Sequence, residues 1–232
     1  MIRIQELEKS FRLQGQTLPI LKIDEWSVAP KERVALIGPS GSGKSTLLHI
    51  IGGVIPADQG EVVIDGHPIA AWQESKRDAF RARHIGYIFQ DFHLIPSLTA
   101  RQNVELVLDG SRKPSSRKSL IDDWFERVGL LDRMNHLPSE LSRGQQQRVA
   151  MIRALINRPP VVLADEPTGS LDWETASSVM ELLLSLCAQE RLTLLTVTHD
   201  LHLAQQFPRI VNMTDINLLI AAKPQGSGRA AV

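Results

Sequence analysis

The stretch Arg33-Val-Ala-Leu-Ile-Gly38-Pro39-Ser40-Gly41-Ser42-Gly43-Lys44-Ser45-Thr46 decides the architecture of this chain. Its apolar opening reads as a short buried strand, and Lys44 to Ile51 reads as a helix. Between them, Gly38, Gly43, Lys44 and Ser45 satisfy the phosphate-loop pattern. Glycines let successive backbone N–H groups turn inward around a phosphate chain, and the next helix presents its positive end there. In such a loop the lysine bridges the β- and γ-phosphates and the hydroxyl of Ser45 coordinates Mg2+. An ordinary glycine-rich turn would need neither the flanking strand and helix nor the lysine.

Working outward, Gly60 to Gly66 reads as a strand bracketed by turn glycines, and His84 to Gln90 as an apolar strand with a polar end. From Asp91 to about Asn157 the character is helical. Thr99 is placed to cap a helix over 100–108. Leu120, Ile121, Trp124, Phe125 and Val128 share one helical face, as do Val149, Ile152 and Ile156 in a helix that Arg158-Pro159-Pro160 ends. Strands return at 161–165 and 192–198, with a helix over 173–189 between them. This alternation implies an α/β fold with a largely parallel sheet and a ligand at the carboxyl ends of its strands. The helical stretch 91–157 is expected as a separate lobe. The basic run 111–119 reads as a solvated loop, and 223–232 as a disordered tail.

Composition narrows the function. The 232 residues can bury a sizeable core, and 26 Lys plus Arg balance 26 Asp plus Glu, so bulk charge gives no reason to expect a nucleic-acid partner. Cys187 is the single cysteine, which excludes an intrachain disulfide and a cysteine-cluster metal site and fits a reducing compartment. The N-terminus lacks the apolar run of a signal peptide. The apolar stretches at 182–188 and 192–197 fall short of the roughly 20 residues that span a bilayer. Direct membrane insertion is therefore not expected, and a membrane role would come through a partner.

The second acidic and phosphate-directed signals lie further on. Asp165 and Glu166 end an apolar strand expected beside the phosphate-loop strand. Asp165 is placed to hold Mg2+ and Glu166 to polarise an attacking water. Just before them, Leu141-Ser142-Arg143-Gly144-Gln145 is a small-polar-glycine turn opening a helix, a second candidate anion site. Gln90, at a strand end, can reach Mg2+ or the water, although alone it would be read as a turn cap. His199 ends another strand before the candidate cap Asp200; alone it would be read as a cap or a packed histidine.

Taken together, the phosphate loop, Gln90, Leu141 to Gln145, Asp165-Glu166, Ser170-Leu171-Asp172 and His199 resemble, in order, the nucleotide-binding subunit of ABC transporters. The resemblance runs to about Asn217. It implies a P-loop NTPase with a mainly parallel core sheet, an antiparallel β subdomain and an inserted helical subdomain. The catalytic core would comprise 1–90 and 158–217, in one ATPase domain. It also implies that residues 38–46 and Asp172 bind ATP, that Ser45, Gln90 and Asp165 serve Mg2+, and that Glu166 is the general base. His199 would contact the γ-phosphate, and Gln90 would couple the site to a membrane partner. Phe11 falls where the family usually has an adenine-stacking aromatic, often Tyr; a buried strand residue is the alternative.

In this family Ser142, Gly144 and Gln145 close over ATP held by a second copy, which implies a head-to-tail pair with two ATP molecules between the subunits. Arg143 departs from the usual Leu-Ser-Gly-Gly-Gln. A side chain there would restrict positive φ and add charge near an anion. Residues Ile88 to Leu106 and Leu47 to Gly53 look like the lipoprotein-release and macrolide-export ATPases. That likeness implies a peripheral subunit on the cytoplasmic face of a bacterial inner membrane, working with integral-membrane permease subunits to export or extract a lipoprotein, peptide or drug. Residues 91–104, with apolar Phe92, Leu94, Ile95 and Leu98, would be the permease socket. A soluble iron–sulfur assembly ATPase is the alternative reading, since it too is a single domain.

Overall fold

The computed structural model describes residues 1–108 and 113–221. The expected tail at 223–232 lies outside them, as do Ser111 and Arg112 of the basic run. Chain order is β1 (Ile2–Leu13), β2 (Gln16–Val28), β3 (Arg33–Ile37), α1 (Lys44–Ile51), β4 (Gln59–Ile64) and β5 (His67–Pro68). There follow α2 (Glu74–His84), β6 (Ile85–Ile88), α3 (Ala100–Glu105), α4 (Pro114–Arg127), α5 (Arg143–Leu155) and β7 (Val161–Asp165). The chain continues as α6 (Trp173–Gln189), β8 (Thr193–Val197), α7 (Leu201–Ala204), β9 (Arg209–Asn212), α8 (Met213–Ile216) and α9 (Leu218–Ala221).

Two sheets result, one antiparallel in the order β2-β1-β4-β5 and one parallel in the order β6-β7-β8-β3-β9. The strand β7 does not lie beside β3, as the sequence suggested, because β8 is inserted between them. The central parallel strands β3, β7 and β8 are buried on both faces, so their alternation sorts residues between two apolar layers. Val162, Ala164 and Leu194 face a cluster with Trp124, Phe125, Val149 and Leu183, whereas Val161, Leu163 and Leu195 face one with Ile4, Ile23, Leu47 and Ile64. The helical layer thus shares its core with the sheet.

Several boundaries differ from the sequence reading. The strand expected over 84–90 is β6 alone, since it pairs only as far as Ile88↔Ala164, and Gln90 lies beyond it. Most of the basic run 111–119 is helical, because α4 starts at Pro114 rather than after the run. Thr99 caps α3 with a reciprocal capping box, its hydroxyl accepting from Gln102 N–H while the Gln102 side chain accepts from Thr99 N–H. That α3 ends at Glu105, short of the expected 108. In β1 the buried residues run Ile2, Ile4, then Leu7 and Lys9; the register shift between Gln5 and Glu8 moves the inward phase by one residue.

Candidate active site

The phosphate loop leaves β3 and closes on α1. Gly43, the N-cap of α1, has φ 91°, and a Cβ on it would stand 2.6 Å from Leu21 Cδ2, so glycine is required twice over. Lys44 is buried along its stem and folds over the loop, its ammonium 2.8 Å from the Gly38 carbonyl and 3.0 Å from that of Pro39. The loop is also fastened from outside. Buried Asn217 donates to the carbonyls of Ile20 (2.9 Å) and Ser42 (3.2 Å) and accepts from Lys22 N–H (3.0 Å), which joins β2 to the loop. Sequence reasoning gave Asn217 no role; nothing local in the sequence signals a contact nearly two hundred residues away.

The acidic pair reaches the loop even though β8 intervenes, because α1 crosses over both β7 and β8. The Ser45 hydroxyl donates to Asp165 Oδ1 at 3.0 Å. Burial raises the Asp165 carboxyl above the usual carboxylate range, opposed by the Ser45 hydrogen bond and by His49, and reinforced by the neighbouring Glu166. His49, one turn along α1 from Ser45, is a further site residue that the sequence reading passed over.

Glu166 has φ 47°, a left-handed conformation that costs a non-glycine residue about 1 kcal/mol or more. Its amide donates to the Val197 carbonyl at 3.0 Å, which ties the turn to the end of β8. Its carboxylate lies 2.7 Å from His199 Nδ1. With a carboxylate as acceptor, Nδ1 carries the proton and Nε2 is left for another partner. Gln90 lies against the same turn, its amide nitrogen 3.2 Å from the point where a Cβ on Gly169 would stand. The structure therefore gathers Lys44, Ser45, Gln90, Asp165, Glu166 and His199 at the carboxyl ends of the parallel strands.

The turn at Ser142 sits elsewhere. Ser142 caps α5 with a capping box, accepting from Gln145 N–H at 3.3 Å while Gln145 Oε1 accepts from Ser142 N–H at 2.9 Å. A Cβ on Gly144 would stand 2.5 Å from Thr175 Cγ2, so glycine here permits the close approach of α6. Gln147 donates to the Pro167 carbonyl at 2.5 Å, holding α5 to the loop after Glu166. Arg143 occupies the first helical position and is absent from the positive-φ residues, so the expected backbone restriction does not arise. Its guanidinium lies 5.9 Å from the Phe92 ring centre. Asp172 caps α6 by accepting from Thr175 N–H at 3.0 Å, a bond that, with others nearby, holds its carboxyl below the usual range. Phe11, on the antiparallel sheet, is 40% exposed rather than buried.

A glycine loop at the carboxyl edge of a parallel sheet, with an acidic pair brought to it by the crossing helix, defines a P-loop nucleotide hydrolase. Comparison with known proteins narrows the class. The family model described as ABC transporter matches residues 21–169. An ABC transporter ATP-binding protein, YtrE of Bacillus subtilis, is 46% identical over 86% of this chain and 89% of its own. A lipoprotein-releasing system ATP-binding protein, LolD 1 of Rhodopirellula baltica, is 43% identical over 93% and 94%. Among solved structures, a dimeric post-hydrolysis ATP-binding cassette bound to ADP and Pi superposes with a TM-score of 0.83 at 36% identity, covering 94% of each chain. The chain belongs to the ABC transporter ATP-binding family, and it is an ATPase resembling the lipoprotein-release subunits.

Proposed function

We propose that the chain hydrolyses ATP as one half of a head-to-tail pair, each copy's phosphate loop being completed by the other's Ser142 turn. The observation that carries this reading is the exposed start of α5. Ser142 and Arg143 face solvent at a capped helix N-terminus, a ready anion site, while the turn is anchored to Thr175 and Pro167. The related cassette solved with ADP and Pi is itself dimeric.

Within one copy, residues 38–46 cradle the phosphates through backbone N–H groups, and Lys44 exchanges its two carbonyl partners for phosphate oxygens. The hydroxyl of Ser45 and the carboxylate of Asp165 form a hard-oxygen donor pair that fits Mg2+, with Gln90 as a further donor. Bound there, the ion would neutralise charge on the β- and γ-phosphates. Glu166 takes a proton from the attacking water, and His199, in its doubly protonated form, donates from Nδ1 to that carboxylate and from Nε2 to the γ-phosphate. Phe11 stacks the adenine.

The partner in the membrane is a permease that exports or extracts a lipoprotein, peptide or drug, with this chain peripheral on the cytoplasmic face. Among the described residues no helix is long and apolar enough to cross a membrane. A groove of about 700 Å3 lined by Tyr87, Phe89, His93, Leu106, Val107 and Arg153, among others, suits a partner helix. Arg153 braces its wall by donating to the carbonyls of Phe92 (2.8 Å) and His93 (2.5 Å). Of the expected apolar socket residues, Leu94 packs on the core and Ile95 is exposed. Light scattering of Glu166→Gln at saturating ATP and Mg2+ tests the pairing: a stable dimer is expected, and a monomer refutes it. Membrane fractionation with and without a co-expressed permease of the lipoprotein-release type tests the partner. A soluble iron–sulfur assembly ATPase would distribute identically in both.

A further inference from the structure

The antiparallel sheet holds an ion pair that the reaction above does not use. The register of β1 against β2 shifts between Lys9 and Ser10, just before Phe11. Asp58, in the segment leading into β4, clamps that irregularity from the side. Its Oδ1 accepts from the Lys9 ammonium at 2.7 Å, its Oδ2 accepts from Ser10 N–H at 2.7 Å, and its own N–H donates to the Glu8 carbonyl at 3.0 Å. Lys9 is only 8% exposed, and its ammonium stands 5.4 Å from the Phe11 ring centre. Directly across the ribbon from Phe11 is Leu18, itself 50% exposed.

Two apolar side chains left outside the core, paired across strands, make a small hydrophobic platform. Its position is informative. Leu18 is two residues along β2 from Ile20, whose carbonyl shares the Asn217 amide with Ser42 of the phosphate loop. At about 3.4 Å per residue the platform lies roughly 7 Å along the strand from Ile20, whose carbonyl stands 3.3 Å from where a Cβ on Gly43 of the loop would be. That is where the base of a nucleotide held by its phosphates can reach.

We infer that Lys9 and Asp58 are positioning residues for base stacking: the pair fixes the bulged strand and sets an ammonium beside the Phe11 ring. This rests on Phe11 as the base-stacking residue. A cation near an aromatic ring draws on its π-density, and the ring's remaining face then stacks more favourably on an electron-rich purine. The Lys9 hydrogen bond holds the Asp58 carboxyl below the usual range, with the Ser10 amide assisting against desolvation, so the clamp stays charged at neutral pH.

Equilibrium binding of ATP and of inorganic tripolyphosphate, with Mg2+, tests the inference in Asp58→Asn, Lys9→Met, Phe11→Ala and the Phe11→Ala/Asp58→Asn double variant. Asp58→Asn and Lys9→Met should each weaken ATP about three- to tenfold and leave tripolyphosphate within about twofold. The double variant should bind ATP as weakly as Phe11→Ala and no more so. Equal weakening of both ligands, unchanged ATP binding, or a further loss on top of Phe11→Ala would overturn it. If Phe11→Ala alone leaves ATP binding unchanged, the base-stacking reading itself falls. Asp58→Asn is nearly isosteric, and its thermal midpoint separates a folding defect from a binding one.

Discussion

The phosphate loop and the Ser142 turn are both glycine-bearing helix N-termini, yet the structure treats them differently. The loop is closed on its own chain: Lys44 folds back on Gly38 and Pro39, Ser45 meets Asp165, and Asn217 ties the turn to β2. The Ser142 turn is anchored from behind, by Thr175 and Pro167, and presents its front to solvent. Similar local chemistry is thus braced on all sides by its own chain in one place and left as an open face in the other. The contrast teaches that an anion-binding turn is defined by what surrounds it as much as by its glycines.

The largest expected effect that bears on this contrast is at Glu166, the proposed general base. Glu166→Gln should lower kcat by about 100- to 10,000-fold while leaving ATP binding nearly intact, checked by single-turnover phosphate release. A small loss would move the base elsewhere. Next comes Gly144→Ala, which sets a Cβ against Thr175 Cγ2. Overpacking of about 1–3 kcal/mol should exceed the roughly 1 kcal/mol that Ala gains over Gly in a helix, so the urea midpoint falls. Adding Thr175→Ser removes the clashing methyl and should restore or exceed wild-type stability; failure to do so would mean that the turn is not held as described.

On the loop side, burial raises the Asp165 carboxyl, so its ionised form is disfavoured by folding. That cost is full above the raised value and disappears as pH falls through it. Asp165→Asn should therefore raise the thermal midpoint of the metal-free protein at neutral pH, with the gain shrinking on acidification, while Mg2+-dependent hydrolysis is lost. A gain that grows in acid would contradict the burial account. The smallest effect belongs to Arg143→Gly. It removes a helix-compatible residue and a cation near the Phe92 ring, each worth about 1 kcal/mol or less, so the KM for ATP or the dimer affinity should change about two- to fivefold. Unchanged ATPase and dimerisation would leave Arg143 without a role.

Much of this was readable in the sequence because it is carried by short, local patterns. The strand-loop-helix at 33–51, the buried run 161–165 and the helix 173–189 each declare themselves through periodicity and caps, and the first two bring Lys44, Ser45 and Asp165 of the candidate site with them. What escaped is non-local or weakly patterned. The helix α2 buries only Phe80, so it shows no apolar stripe, and β9 is a four-residue edge strand. The insertion of β8 between β3 and β7 is a matter of topology that strand composition does not encode. Asn217, Lys9 and Asp58 act across contacts far apart in the chain. Arg143 was misjudged for another reason: the usual glycine suggested a special backbone, whereas the position is an ordinary first helical turn.

The central claim is that the Ser142 turn completes a site on another copy, and complementation tests it most directly. Lys44→Ala disables the cradle, and Ser142→Glu sets a carboxylate on the exposed turn where phosphate must come; each variant alone should be inactive. Mixed in equal amounts, half the pairs contain both variants and each such pair has one intact site of two, so about a quarter of wild-type ATPase should return. Activity that stays at the sum of the two inactive parents, in a mixture shown to form mixed pairs, would contradict the account.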